Sequence, residues 1–389
     1  MDPFNNISFS NASPNASVEF NQFVQPVWQI TLWALAYCSI VAVSVVGNLL
    51  VIWIILSQKR MRTVTNYFLV NLAFAEASMS AFNTVINFAY AVHNEWYFGL
   101  VYCRFHNFFP IAAIFASIYS MTAVALDRYI AIIHPLQQRL SSTDTRVVIV
   151  IIWILALLLA FPQYYFSSTA QLPGRSVCYI DWPEYTIVDF EKIYYVCVTV
   201  LIYFLPLCIM GYAYMTVGIT LWASEIPGDS SEHYQQQLLP NVVKMMIIVV
   251  CTFAVCWLPY HIYFLLHQFF PSIMEDLYIQ QVYLAIMWLA MSSTMYNPII
   301  YYCLNSRFRE GFQQILCCCV ASVVMEEQEL KSPRCLQTQV CASRRDDEWN
   351  LSTMICVFLG EHISRQDGNG SSACCSAPFS CASVECRAV

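Results

Sequence analysis

Seven long apolar runs, separated by short polar segments, set the pattern of the chain: roughly Trp28 to Leu56, Thr65 to Ala89, Val101 to Ile133, Val147 to Phe166, Tyr194 to Leu221, Val242 to Leu266 and Gln280 to Leu304. A bilayer's hydrocarbon core, about 30 Å thick, needs about 20 apolar residues in a helix, so each run predicts one membrane span. The fold class that follows is an all-α membrane protein, a seven-transmembrane helix bundle. The third and fifth runs are long enough for their ends to leave the membrane. The second and seventh carry Asn71, Glu76, Asn83, Asn87, Ser292, Ser293, Thr294 and Asn297, polar groups that should face other helices rather than lipid.

The flanking segments set the orientation. The polar stretch before the first run and that run's length predict no cleavable leader, so the first helix should itself direct insertion. Lys59, Arg60 and Arg62 follow it, whereas its N-terminal side has Glu19 and no base, which places the N-terminus outside and the C-terminus in the cytoplasm. Alternation then leaves Arg104, Arg175 and Lys192 outside, against Lys59, Arg60, Arg62, Arg128, Arg139, Arg146, Lys244, Arg307 and Arg309 inside, the expected bias. The outer segments also hold Asp2, Glu19, Glu95, Asp181, Glu184, Asp189, Glu191, Glu275 and Asp276, an acidic rim that would attract a cationic ligand.

The domain organisation is an extracellular tail over 1–27, a bundle over 28–304, a short cytoplasmic amphipathic helix and acylation site over 305–319, and a mostly disordered cytoplasmic tail over 320–389. Sequons begin at Asn6, Asn11 and Asn15 in the outer tail and are candidate glycosylation sites; those at Asn350 and Asn369 lie inside and should stay bare. Cys317, Cys318 and Cys319 follow the amphipathic stretch, where palmitoylation occurs. Met354 to Leu359 is too short to span.

Composition agrees. Hydrophobic residues make up 58% and charged residues 11%, with a mean hydropathy of +0.54; soluble domains average about half and about a quarter. A net charge of −7 argues against a nucleic-acid partner. The 18 cysteines do not form a disulfide scaffold, since many lie within apolar runs as small hydrophobes or in the C-terminal stretch. Cys103 and Cys178 are the pair left in predicted outer loops, and an isolated pair on the oxidising side predicts a disulfide.

Several motifs sit one to a span. The third run ends Asp127-Arg128-Tyr129, with Pro135 shortly after; an Asp-Arg pair at a membrane boundary must be paired or wetted. A snorkelling Arg is the plain alternative for that motif alone. The sixth holds Phe253 and Cys256-Trp257-Leu258-Pro259, where the proline kinks the helix beside a Trp that either packs or acts as a lever. The seventh ends Asn297-Pro298-Ile299-Ile300-Tyr301; the fifth has Pro206 and Tyr214, the first Gly47-Asn48, the second Leu72-Ala73-Phe74-Ala75-Glu76, the fourth Trp153.

Together, in this order and at matching depth, these motifs resemble the rhodopsin-like class of G protein-coupled receptors over roughly residues 28–316. Phe23 to Gln29, Lys59 to Tyr67, His106 to Pro110 and Trp288 to Tyr296 resemble the tachykinin receptors within it, and Ser224 to Ser231 resembles the substance P branch. That family carries Glu where most of the class has Asp in the second helix, and Glu76 fits. The resemblance implies a ligand with an amidated Phe-X-Gly-Leu-Met end, a heterotrimeric G protein of the Gq type acting through phospholipase C and calcium, arrestin and receptor kinases as further partners, and residence in the cell membrane. It implies a switch built from Glu76, Asp127, Arg128, Tyr214, Phe253, Trp257, Pro259, Asn297 and Tyr301. Arg128 should pair with Asp127 at rest and meet the G protein once the sixth helix swings out about Pro259. Three departures stand out: Tyr195 where the substance P branch usually has His, a third inner loop (Glu232 to Lys244) without the usual basic cluster, and a tail that diverges after about Gln339.

The ligand cavity should open outward, with Asn83, Asn87, Tyr90, His106, Asn107, Gln163, His261 and Tyr283 as polar wall and Phe264 and Met287 as apolar wall. Amides and neutral imidazoles suit an amidated peptide end, which both donates and accepts hydrogen bonds. Some of these residues could simply satisfy one another between helices. Glu76, with no base on the spans to pair it, should be protonated or hydrogen-bonded, with Asn48, Ser117, Ser293 and Asn297 as candidate partners.

Other functions fare worse. A retinal pump or photoreceptor needs a Schiff-base Lys in the last span, and none lies between Gln280 and Leu304. An intramembrane hydrolase needs a nucleophile with its base or a metal cluster, which isolated His106 and His261 do not supply. An ion-coupled transporter would show internal repeats or paired broken half-helices, and only Glu76 is ionisable deep in the bundle. The sequence therefore predicts no enzyme, no cofactor and no metal site.

Overall fold

A computed structural model describes residues 25–172, 174–183, 189–223, 233–270 and 278–315. The glycosylation candidates Asn6, Asn11 and Asn15, the cysteines Cys317, Cys318 and Cys319, most of the third inner loop and the tail lie outside those residues. Each apolar run falls within one span. The first is Val27–Ser57; the second joins helices Val64–Met79 and Val85–His93 through a π-helical turn, Ser80–Thr84; the third is Gly99–Ile133 and the fourth Ser142–Phe166. The fifth joins Phe190–Thr199 and Leu205–Ala223 through a second π-helical turn, Val200–Phe204; the sixth is His233–Phe269 and the seventh Ile279–Leu304.

Among the described residues, six helices are long and apolar enough to cross a membrane on composition alone, and the seventh is not. The reason is its polar content. Gln280, Ser292, Ser293, Thr294 and Asn297 are all buried, so the groups that lower its hydropathy face helices rather than lipid. On the first and fourth helices the lipid-facing side is apolar: Leu32, Leu35, Val46, Leu158, Phe161 and Tyr165 are exposed.

Local chemistry sets the ends. Thr63 caps the second span by accepting from the Asn66 N–H, and Ser141 and Asp144 form a reciprocal capping box at the start of the fourth. The third helix carries buried residues from Cys103 to Asp127, with an unbroken buried stretch from Ile111 to Ile118. Asn71 ties three helices: its amide donates to Ser120 Oγ at 2.8 Å, and its oxygen accepts from Trp153 Nε1 at 2.8 Å. Two glycines permit close approach. A Cβ on Gly47 would lie 2.8 Å from the Pro298 ring, and one on Gly311 would lie 2.8 Å from Ile54. The second contact seats the short helix over 306–315 against the first span, with Phe308, Phe312 and Ile315 buried.

The loop between the fourth and fifth spans is an antiparallel hairpin that helical periodicity does not reveal. β1 (Ser167–Leu172) pairs with β2 (Arg175–Ile180), in register from Ser167↔Ile180 to Leu172↔Arg175. The expected disulfide is present: Cys103 on the third helix is bonded to Cys178 on β2. The Trp96 backbone N–H donates to the Ser176 carbonyl at 2.8 Å, and the Tyr90 hydroxyl donates to the Cys178 carbonyl at 3.1 Å, so besides the disulfide the hairpin is fastened to the end of the second span and to the loop that follows it.

Candidate functional site

Beneath the hairpin lies a cavity of about 500 Å³. Nine of the ten residues expected to line it do so: Asn83, Asn87, Tyr90, His106, Asn107, Gln163, Phe264, Tyr283 and Met287. The π-helical turn and the helix after it carry Asn83, Asn87 and Tyr90; the third helix supplies His106 and Asn107, and the fourth Gln163. His261 is the exception. It is buried beside Tyr203, ring centroids 4.8 Å apart, and does not reach the cavity. One turn of the sixth helix separates it from Trp257 and Phe264, and its face points towards the fifth span. Pro110, Ile111, Ile114, Trp257, Tyr260 and Met291 complete the wall. Apart from Trp257, which its place beside Pro259 singles out, they are apolar or aromatic residues inside apolar runs, and no sequence signal separates them from core.

The cavity wall carries no formal charge. Part of it is satisfied internally: Asn83 Nδ2 lies 3.1 Å from His106 Nδ1, Asn87 donates to the Tyr283 hydroxyl at 3.2 Å, and Asn107 donates to Ser167 Oγ at 2.8 Å. The side-chain oxygens of Asn83 and Asn87 make no hydrogen bond among the described residues, and the Gln163 amide nitrogen makes none of ordinary geometry, although Gln163 lies beside the Tyr194 hydroxyl. Buried polar atoms are normally paired, and an orphan costs about 1–3 kcal/mol. Two acceptors and a donor thus await a partner. Acidic residues border the hairpin end, where Lys192, 2.8 Å away, holds the Asp189 carboxyl below its usual range. Tyr195 stacks on Phe264 at 6.2 Å, joining the fifth span to the cavity wall.

Below the cavity, Trp257 donates from Nε1 to Ser293 Oγ at 3.0 Å and sits 5.8 Å from Phe253. Glu76 accepts through Oε1 from Asn297 and from Ser117 at 3.4 Å. The other two candidate partners are engaged elsewhere: Ser293 with Trp257, and Asn48 with the carbonyls of Ser44 at 2.9 Å and Thr294 at 3.0 Å. Asn48 faces the backbone of its own helix and the seventh, which the sequence did not disclose.

At the opposite end, Arg128 pairs with Asp127 at 2.8 Å and also donates to Thr65, whose hydroxyl donates to the same carboxylate oxygen at 2.5 Å. Next to this lies a smaller space of about 210 Å³, lined by Leu69, Leu72, Met121, Val124, Tyr214, Met246, Val249, Val250 and Tyr301. Both tyrosines are buried.

The sequence matches the family described as "7 transmembrane receptor (rhodopsin family)" over residues 47–301. It is 66% identical over 358 residues to the substance-P receptor of Meriones unguiculatus, covering 91% of this chain and 87% of that protein. It is 66% identical over 360 residues to the human substance-P receptor, covering 91% and 88%. It is 62% identical over 318 residues to the human neuromedin-K receptor, covering 81% and 68%. The chain belongs to the tachykinin receptors of the rhodopsin family. Members of this family are receptors rather than enzymes, which agrees with the absence of catalytic motifs in the sequence. A tachykinin receptor is a multi-pass plasma-membrane protein that works with a peptide ligand and a G protein. In this one, the polar cavity and the Arg128 pair stand at opposite ends of the same third helix.

Proposed function

We propose that this receptor binds tachykinin peptides of the substance P kind by their amidated C-terminus, with the hairpin end outside the cell, and signals through a Gq-type heterotrimer to phospholipase C and calcium. The carrying observation is the unfilled hydrogen-bond inventory of the cavity: two acceptors, Asn83 Oδ1 and Asn87 Oδ1, and one donor, Gln163 Nε2, in an uncharged wall. A primary carboxamide offers two N–H donors and one carbonyl acceptor, the complement of that set. A free carboxylate has no donor for the two oxygens and would enter the cavity as an unpaired buried charge.

The Leu-Met end of the peptide would bury apolar area against Ile111, Phe264 and Met287 at about 25 cal/mol per Å². Its basic N-terminal part would meet the acidic rim and gain on-rate more than affinity. Binding bears on Trp257, which lines the cavity floor beside the Pro259 kink. The sixth helix swings out, and Arg128 leaves Asp127 for the G protein with Tyr214 and Tyr301 nearby. The sequons at Asn6, Asn11 and Asn15 are glycosylated in this reading, one or more of Cys317, Cys318 and Cys319 is palmitoylated, and arrestin and receptor kinases act on the cytoplasmic side.

The test is a calcium response in transfected cells challenged with a panel of tachykinin peptides, with and without a Gq inhibitor. A saturable response to amidated tachykinins, abolished by the inhibitor, is expected. Peptide binding with a response that survives the inhibitor would replace Gq, and no response to any tachykinin would remove the ligand assignment.

A further inference from the structure

Two tyrosine hydroxyls tie the fifth span to its neighbours through backbone carbonyls, each where a proline disturbs a helix. In the π-helical turn Val200–Phe204, the Leu205 N–H reaches back to the Val200 carbonyl. Continued by one residue, that register would give the Leu201 carbonyl to residue 206, which is proline and has no N–H. Tyr119 of the third span supplies the missing donor, with its hydroxyl 3.1 Å from the Leu201 oxygen. Within the same turn, the buried Tyr203 donates its hydroxyl to the Ala254 carbonyl of the sixth helix at 2.8 Å. Ala254 precedes Pro259 by five residues, next to the carbonyl of Val255 that Pro259 leaves without a donor. The His261 ring, beyond the kink, covers Tyr203. In a bilayer core, carbonyls freed in this way must be re-satisfied by neighbouring side chains, local helix adjustment or ordered water, so side-chain donors of this kind carry weight.

The two bonds hold different things. Tyr119 joins the third and fifth spans. Tyr203 grips the part of the sixth helix on the Arg128 side of the kink, which is the part that moves in the proposed switch. At about 1.5 Å rise per residue, Ala254 lies about 7 Å from the pivot and Lys244 about 22 Å. A hydrogen bond is lost beyond about 3.5 Å. An outward displacement of about 2 Å at Lys244 therefore already breaks the Tyr203 bond.

We propose that Tyr203 is the resting-state clamp of the sixth helix, a positioning residue whose bond to Ala254 exists only in the closed form and is released by agonist. The inference rests on the outward swing described above.

Purified Tyr203→Phe receptor in lipid discs is compared with the unmodified receptor and with Tyr119→Phe. Two quantities are read: ligand-free nucleotide exchange on a heterotrimeric G protein per folded receptor, and substance P affinity without G protein. Loss of one hydrogen bond made in only one of two states shifts their ratio about three- to tenfold. Tyr203→Phe should raise both quantities by about that factor. Tyr119→Phe should lower the thermal midpoint and raise neither. His261→Leu, which strips the ring from Tyr203, should move ligand-free exchange in the same direction by less, and it decides the matter if Tyr203→Phe does not fold. Unchanged or reduced exchange and affinity in Tyr203→Phe would overturn the clamp, as would an equal rise in Tyr119→Phe. If the unmodified receptor fails to exchange, that counts against the coupling assignment, and the affinity comparison then decides the clamp.

Discussion

At the hairpin end the helices stand apart around about 500 Å³ walled by amides, phenols and an imidazole, with the oxygens of Asn83 and Asn87 left unfilled. At the Arg128 end the same helices close on about 210 Å³ walled by Leu, Met and Val with two tyrosines, and the charges there answer one another. The first region is incomplete without a molecule from outside the chain. In the second the charges are already paired, although Arg128 Nε and the Tyr301 hydroxyl make no hydrogen bond among the described residues, and anything that binds there must first break that pair. A binding energy collected at one end and used to open the other is what a ligand-gated switch requires.

The largest way to break this comparison is to release the hairpin. Cys103→Ser removes its covalent tie to the third helix, and losing a native disulfide costs about 2–5 kcal/mol. Surface binding of labelled substance P should vanish; retained binding with both thiols free to label would show that the hairpin does not shape the cavity. Next is Arg128→Ala. Peptide should still bind while stimulated nucleotide exchange on purified heterotrimer falls to background. Full exchange would deny Arg128 its role, and loss of folded receptor without loss of coupling per molecule would make the pair structural. Smaller again is Asn83→Ala, which removes one orphan acceptor and the amide facing His106. Affinity for the amidated peptide should fall about 10- to 100-fold, measured by competition, while that for its free-acid form changes little.

The smallest effect sharpens the region between the two ends. Around Glu76 lies about 230 Å³ lined largely by Ala75, Met79, Ala113, Ile114, Phe253 and Trp257, and Asn297 and Ser117 already occupy one carboxylate oxygen. A hard cation wants several oxygen ligands; the Ser117, Ser293 and Thr294 hydroxyls that also line the space already engage Glu76, Trp257 and the Met291 carbonyl, which leaves Glu76 Oε2 as an oxygen without a partner among the described residues. Replacing sodium by potassium at constant ionic strength should alter agonist affinity by less than about twofold. A strong sodium-specific loss would show a cation site there.

Much of this was legible in the sequence because lipid makes polarity directional. A buried Asn or Ser on a span has to face protein, so Asn83, Asn87, His106, Asn107 and Tyr283 could be assigned to one depth before any coordinates. Cys103 and Cys178 were legible by compartment. Rotation about a helix axis was not. His261 and Tyr260 are adjacent, and about 100° of turn between them sends the first to Tyr203 and the second to the cavity. The hairpin was hidden because its short strands carry no period longer than six residues each. The π-helical turns were hidden because a single inserted residue leaves the apolar pattern intact.

The most direct test of the central claim compares one peptide in two forms. Substance P with its terminal carboxamide, and the same peptide ending in a free acid, are titrated against the purified receptor, and stimulated nucleotide exchange is recorded beside affinity. Because the cavity offers unfilled acceptors and no cation, the acid should bind at least about 100-fold more weakly, equivalent to about 2.7 kcal/mol, and exchange should follow occupancy. Deleting the peptide's basic residues should cost far less. Equal affinity and equal exchange for the amide and acid forms would contradict the account.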